Sequence, residues 1–263
     1  EPMRVLFADR FPEQQLAQLR EHGCECELRP ELAGDELAGA LAGFDVLVVR
    51  STTVTAAALE CSDLRLVVRA GAGTNTIDLA AASNRGIYVC NVPGKNAIAV
   101  AELAFGLLVA IDRNIPDNVS DLRDGRWDKA RYQRASGLRG RQVGVVGLGA
   151  IGLAFAERVS AFGMTVHMVD RTRSDETQAR LDALGAVAHA DLETLAATCD
   201  VLSFHVPAVS ETRHLLDAEL LAEIRPGTII LNTSRGEIVD EEALLAVIDE
   251  KELRVGLDVY ANE

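Results

Sequence analysis

The chain has no apolar run approaching the ~18 residues that a membrane span requires. Its acidic start, EPMRVLFADR, reads as a first strand and is neither a signal nor a transit peptide. Cysteine is scarce and odd in number. Cys24, Cys26, Cys61, Cys90 and Cys199 form no C-x-x-C pair and no Cys/His grouping with zinc spacing. Cys24 and Cys26 point the same way along an extended strand, which makes a poor ligand pair, so no metal site is expected and reduced thiols fit a cytoplasmic protein. Positive charge is also in short supply. Lys plus Arg number 26 against 40 Asp plus Glu, a net charge of -14 that repels a phosphate backbone over most of the surface and argues against nucleic acid as a partner. An anionic small molecule must then be held by local Arg and Lys clusters that work against the global field. Internal repeats and low-complexity tracts are lacking as well, and 48% hydrophobic with 25% charged residues excludes disordered, collagen-like and coiled-coil chains.

What is present is an alternation of short β-branched runs with longer amphipathic stretches. The first part offers strands at VLFAD (5–9), DVLVV (45–49), LRLVV (64–68) and IYV (87–89). The second offers QVGVV (142–146), MTVHMV (164–169), AVA (186–188), DVLSF (200–204), TIIL (228–231) and RVGL (254–257). Strand, helix, strand repeated in this way forces parallel pairing through right-handed crossovers, so the expected fold is α/β, with two open parallel sheets covered by helices on both faces. The boundary falls at NVPGK, before a long apolar helix over 97–111, giving domains over 1–94 and 95–263. The stretch 124–141 gathers Lys and Arg around the only Trp and reads as an irregular basic island.

The sharpest motif is VGVVGLGAIG, with Gly147, Gly149 and Gly152 as G-x-G-x-x-G after an apolar strand and at a helix start. The first glycine permits a tight turn, the second lets backbone approach a pyrophosphate, and the third allows close helix-to-strand packing. The following strand ends at Asp170, whose carboxylate can accept both ribose hydroxyls of an adenosine and would repel a 2′-phosphate. Arg171 and Arg173 pull toward NADP, but Asp170 favours NAD as the cofactor.

Beyond that motif, the blocks VVRSTTV (48–54), VRAGAGTNTIDL (68–79), NVPGKNAIAVAEL (91–103), HVP (205–207), LNTSRGEIVDEEAL (231–244) and GLDVYANE (256–263) resemble the D-2-hydroxyacid dehydrogenases, and within them the phosphoglycerate dehydrogenase branch. The resemblance covers nearly the whole chain. It implies a flavodoxin-like substrate domain and a Rossmann nucleotide-binding domain, with a small anionic 2-hydroxy or 2-keto acid bound in the cleft between them. Arg235 corresponds to the arginine that grips the substrate carboxylate and keto oxygen, a planar anion that suits a guanidinium fork. Glu263 matches the acid that orients a catalytic histidine, and Asp258 a carboxylate near the nicotinamide carboxamide. Ala150, Ile151, Val206, Pro207, Thr233 and Ser234 line the cofactor. Ala72 and Gly73 offer backbone N–H groups to the substrate carboxylate. Arg50, Ser51 and Arg69 match positions that meet the substrate's far end, and Lys129 reaches a neighbouring subunit's site in a homodimer or homotetramer.

The resemblance also implies a proton-carrying histidine some two dozen residues past the Glu, whereas the sequence given ends at Glu263. Of the histidines at 22, 167, 189, 205 and 214, only His205 could approach the site, and a proton carrier must lie within hydrogen-bond reach of the reacting oxygen. A chain with the cofactor elements and no such carrier is expected to bind NADH and turn over little substrate. The expected activity is oxidation of a D-2-hydroxy acid, foremost 3-phosphoglycerate. A glyoxylate or hydroxypyruvate reductase and a non-catalytic NAD-sensing module are the alternatives.

Overall fold

The structure is a computed structural model and describes residues 2–60, 62–133 and 135–261. The chain divides into two compact units, Glu1–Asn96 and Ala97–Glu263. In the first, the strands are β1 (Arg4–Phe7), β2 (Glu25–Leu28), β3 (Val46–Val49), β4 (Leu66–Arg69) and β5 (Tyr88–Asn91). They pair in the order β2-β1-β3-β4-β5, all parallel, with Val5 opposite Cys26 on one side and Val46 on the other. This is the flavodoxin-like order. Successive side chains of a strand face opposite ways, and here both faces are covered. Leu6, Leu47 and Val67 enter one core with Leu37 and Leu59, while Val5, Phe7, Val46 and Val48 enter a second with Leu16. Burial on both faces explains why β1 and β3 read as continuous apolar runs. β2 lies at the sheet edge, and its sequence ECEL exposes Glu25 and Leu28 and half-buries Cys26 and Glu27, so it lacks the apolar signal of the central strands.

The second unit contains β6 (Gln142–Val146), β7 (Thr165–Val169), β8 (Val187–His189), β9 (Val201–Phe204), β10 (Ile229–Asn232) and β11 (Arg254–Leu257). Their order is β11-β10-β9-β6-β7-β8, again parallel throughout. Counted from the unit's own first strand this is 6-5-4-1-2-3, the doubly wound arrangement of dinucleotide-binding folds. The apolar helix runs over Ala97–Asp112, one residue past its expected end. Its Ala101 and Ala104 pack with Ala154 and Phe155 of the helix Ala150–Ala161 in one buried cluster, where small side chains let the two helices approach closely.

The basic stretch is more organised than its composition suggests. One helical turn, Lys129–Tyr132, lies inside it, and the buried Asp121 ties it to the helix Ile115–Arg123. Asp121 Oδ1 accepts from Arg126 Nη2 at 2.7 Å, and Oδ2 accepts from Arg131 Nη1 at 2.8 Å and the Tyr132 hydroxyl at 2.5 Å. The Tyr132 hydroxyl and the Arg126 guanidinium hold the Asp121 carboxyl below the usual carboxylate range. Strand order reverses between β1 and β3 in the first sheet and between β6 and β9 in the second. Crevices at the carboxyl ends of strands around such points are where open α/β sheets bind ligands.

Candidate functional site

In the second unit β6 runs into Gly147, whose φ of 97° is open only to glycine at low cost. A Cβ there would also meet the His205 carbonyl oxygen at 2.8 Å. Gly152 stacks on the same turn, since a Cβ on it would lie 1.9 Å from the Gly147 carbonyl oxygen. At Gly149 the space that a Cβ would occupy is open, which leaves room for phosphates to approach the backbone. Gly149 caps the helix Ala150–Ala161 without a side-chain hydrogen bond, so the first N–H groups, including those of Ala150 and Ile151, face outward at the positive end of the helix dipole.

A cavity of about 440 Å³ opens beside this turn, lined by Gly147, Leu148, Val169, Arg171, Thr172 and Val206 among others. Asp170 follows β7, its side chain exposed and its amide donating to the His189 carbonyl at 2.7 Å. Arg173 folds back on the chain, donating to the carbonyls of Arg171, at 2.8 Å, and Val169. Burial lowers its pKa, and the nearby Asp170 works the other way. With the Arg173 guanidinium engaged by backbone, Asp170 and Arg171 are the exposed charged groups at the strand end, and of the two only the Asp170 carboxylate can accept from ribose hydroxyls.

His205 follows β9. Its amide donates to Val146 at 2.7 Å, its Nε2 lies 2.8 Å from Ser203 Oγ, and its ring sits 5.1 Å from that of Phe155. Burial pushes its pKa down to about 4, so the ring is neutral near pH 7. The sequence had left His205 as the one histidine able to approach the site, and this packed, neutral ring is unsuited to carrying a proton there. Its Nδ1 and the Thr233 hydroxyl are buried and have no hydrogen-bond partner among the described residues. These two orphaned polar atoms follow paired strands, β9 and β10, beside the glycine turn. Together with the open space at Gly149, they fit a bound dinucleotide.

Asn232, fully buried at the end of β10, organises the next segment. Its Oδ1 accepts from the Ser234 amide at 3.0 Å and the Ser234 hydroxyl at 2.7 Å, and its Nδ2 donates to the Arg235 carbonyl at 2.8 Å. Its own carbonyl accepts from the Asp258 amide at 3.0 Å. One side chain and one carbonyl thus bring Ser234, Arg235 and Asp258 together. Arg235 is half-buried and its Nη1 donates to the Ser234 carbonyl at 2.6 Å. Gly236 is required by the returning chain, because a Cβ on it would come within 2.0 Å of the Tyr260 carbonyl carbon.

In the first unit a cavity of about 900 Å³ opens at the carboxyl ends of all five strands, and Arg10, Arg50, Arg69 and Lys95 line it together with Asp9 and Ser51. Asp9 builds the wall beneath Arg50. Its Oδ2 accepts from the amides of Arg50, Ser51 and Thr52 at 2.6, 3.1 and 3.1 Å, and its Oδ1 accepts from the Ser51 hydroxyl at 3.1 Å. Burial raises the Asp9 pKa, but these hydrogen bonds outweigh it and leave the carboxyl below its ordinary value. Arg69 lies over Gly71, where a Cβ would come 1.4 Å from its guanidinium. The turn that follows is fixed by Asn91 Nδ2, which donates to the Ala72 carbonyl at 2.6 Å, and by the Val92 amide on Gly71 at 2.9 Å. Ala72 and Gly73 are half-buried on this turn, and their amides donate to no described residue.

Within each unit the predicted residues stand at or past the carboxyl ends of the strands, or at the start of the helix that follows the glycine turn. Gly147, Gly149, Ala150, Ile151, Gly152, Asp170, Val206, Pro207, Thr233, Ser234, Arg235 and Asp258 follow strands of the second sheet or open the helix Ala150–Ala161, while Arg50, Ser51, Arg69, Ala72 and Gly73 end or follow strands of the first. Lys129 stands apart from both groups, lining a separate cavity of about 150 Å³ with Trp127 and Tyr132. Glu263 lies outside the described residues. Asp9, Arg10, Lys95 and Asn232 escaped the sequence reading. The available signal was position alone, since each stands at or just past a strand's carboxyl end. Among the described residues no cluster of three or more His, Cys, Asp or Glu could hold a metal ion, and no helix is long and apolar enough to cross a membrane.

Comparison with known proteins agrees with this geometry. A family profile for the D-isomer specific 2-hydroxyacid dehydrogenase NAD binding domain matches residues 105–263. The D-3-phosphoglycerate dehydrogenase of Archaeoglobus fulgidus is 36% identical over 99% of this chain, which spans 49% of that relative's length. The hydroxypyruvate reductase of Thermotoga maritima is 40% identical over 91% of this chain and 77% of its own. The solved structure of the D-lactate dehydrogenase from Escherichia coli superposes with a TM-score of 0.86 at 28% identity, covering 99% of this chain and 83% of that one. The chain belongs to the D-isomer specific 2-hydroxyacid dehydrogenase family, whose cofactor is NAD.

Proposed function

We propose that the protein oxidises a D-2-hydroxy acid with NAD, and that the acid is 3-phosphoglycerate, converted to 3-phosphohydroxypyruvate as in serine biosynthesis. The observation that carries the reading is the four-cation cavity of the first unit in a chain of net charge -14. A singly charged hydroxy acid needs fewer positive groups than this, and a phosphate uses them. The nicotinamide supplies the hydride acceptor when bound.

The chain's own residues orient and stabilise. The Arg235 fork holds the carboxylate and C2 oxygen and stabilises the charge that develops there. The amides of Ala72 and Gly73 receive the carboxylate, and Arg50, Ser51 and Arg69 hold the phosphate. Asp170 accepts the adenosine ribose hydroxyls, the Gly147–Gly152 turn and the amides of Ala150 and Ile151 hold the pyrophosphate, and Val206, Pro207, Thr233, Ser234 and Asp258 surround the nicotinamide half. Glu263 is assigned, by resemblance, the positioning of the proton carrier. Lys129 is assigned to a second copy's substrate site within a homodimer or homotetramer, in the cytoplasm.

The 40% identical hydroxypyruvate reductase supports a second reading, reduction of hydroxypyruvate or glyoxylate. Initial rates of NADH oxidation by a C-terminally extended form that carries the expected histidine separate the two. The expected order of kcat/KM is 3-phosphohydroxypyruvate above hydroxypyruvate by about tenfold or more, the worth of one charge-assisted contact. Glyoxylate or hydroxypyruvate in first place would reject the phosphoglycerate reading in favour of the reductase.

A further inference from the structure

Arg10 and Lys95 count among the cations of the first unit's cavity, but the reading above gives a contact only to Arg50 and Arg69. Arg10 follows β1, and Lys95 lies past β5 in the turn NVPGKN, where Gly94 has φ 76°. Both side chains are exposed, and among the described residues neither they nor Arg50 forms an ion pair. What sets these three apart is that they line one concavity together. Acids outnumber bases 40 to 26, and Arg4, Arg20, Arg29, Arg126, Arg131, Arg141, Arg158, Arg180 and Arg225 each pair with a carboxylate.

The cavity's one lining acid is Asp9, and it does not neutralise them. Its two oxygens are taken by three backbone amides and the Ser51 hydroxyl, and it forms no ion pair among the described residues. The carboxylate shapes the Arg50–Thr52 turn and leaves Arg10, Arg50 and Lys95 without a counter-ion among the described residues. Unpaired like charges around one concavity repel each other, a cost that a bound dianion removes. Arg10, Arg50 and Lys95 come from loops after three different strands, so no local helix or turn requirement explains their convergence.

We infer that Lys95 and Arg10 are specificity-determining residues that recognise the doubly charged far end of the substrate, completing a receptor begun by Arg50 and Arg69. The inference rests on the dehydrogenase reading of this same cavity. Its ligand chemistry is a compact dianion, a phosphomonoester foremost, and a second carboxylate offers a weaker version of the same charge.

Calorimetric titration in saturating NADH tests it with three acids: 3-phosphoglycerate, malate, which carries a carboxylate at the far end, and glycerate, which carries no far-end charge. Wild type is expected to prefer phosphoglycerate over glycerate. Lys95→Ala and Arg10→Ala are each expected to weaken phosphoglycerate about three- to tenfold, the range of a charge-assisted contact at an exposed site, and to leave glycerate within about twofold. Lys95→Arg should retain most of the affinity, and the salt dependence of phosphoglycerate binding should shrink in the Ala variants. Equal weakening of phosphoglycerate and glycerate, or no weakening of either, would overturn the role of these two residues while leaving a wild-type phosphate preference, and the parent reading, intact. Absence of that preference in wild type would overturn both. Malate binding above phosphoglycerate, with the same loss in Lys95→Ala, would keep the two residues and replace the phosphate by a carboxylate. Because both side chains are exposed and unpaired, loss of folding does not confound the variants.

Discussion

Replacing Asn232 by Ala separates the architecture of the second unit's site from its chemistry. The substitution removes three hydrogen bonds, two accepted from Ser234 and one donated to Arg235. At about 1 kcal/mol net for each of the three bonds, and about 1 kcal/mol for each of the Arg235 carbonyl and Ser234 amide left short of a partner on this half-buried segment, the loss is on the order of 5 kcal/mol. For a unit of this size each kcal/mol moves Tm by about 2–4 °C, so a fall on the order of 10 °C is expected in a thermal melt followed by circular dichroism. The Asn232→Asp variant divides the effect. It retains an acceptor for Ser234 but turns an oxygen toward the Arg235 carbonyl, so it should lose roughly half the stability and still disturb Arg235. An error of ~1 Å in a gripping residue can cost about 10²-fold in rate, so kcat/KM for the 2-keto acid should fall much further than NADH affinity, whose glycine turn follows a different strand. A melt unchanged within about 1 °C in Asn232→Ala, together with unaltered kcat/KM, would refute the argument that this side chain holds the segment.

Three further outcomes are expected. Asp170→Ala should narrow the preference for NADH over NADPH in fluorescence titrations, and a wild type that binds NADPH more tightly would reject the role given to Asp170. His205 has its folded pKa lowered to about 4 from 6.5, so it contributes stability present above pH 6.5 and lost as pH falls toward 4, roughly 3 kcal/mol across that window. His205→Gln should therefore show a flatter stability profile between pH 6.5 and 4 in urea titrations, and parallel wild-type and variant profiles would reject a neutral buried ring. Asp9, whose folded pKa is lowered, contributes stability that is present above its unfolded value near 3.9 and lost as pH falls through the folded one. Asp9→Ala should free the Arg50–Thr52 amides to exchange faster with solvent deuterium, and unchanged protection there would contradict the clamp.

The parts of this molecule that could be read from the sequence are those written in short stretches of chain. QVGVV and RVGL form strands over the residues expected, because their apolar content and flanks are local properties. The tasks of Gly147 and Gly152 were legible because a tight turn and a crossing of backbone within five residues leave a pattern that only glycine satisfies. Asp9 could not be read in this way. Its meaning comes from Arg50–Thr52, more than 40 positions away, brought near by the parallel pairing of β1 and β3. Asn232 sat inside a quoted motif, yet nothing in LNTSRG says that the asparagine points inward and the arginine outward. The basic island read as irregular because its order also depends on a residue outside it: Asp121 in the preceding helix holds Arg126 and Arg131.

The placement of the first unit's cavity on five separate loops has an evolutionary consequence. Each lining residue hangs from a strand whose burial is satisfied by the sheet and its two cores, with no help from the loop. A change at Arg10, Pro30, Arg50 or Lys95 therefore alters what the cavity accepts at little cost to folding, and changes on different loops can accumulate independently. Selection can retune the ligand of one unit while the dinucleotide turn of the other stays untouched, a route by which one scaffold diversifies.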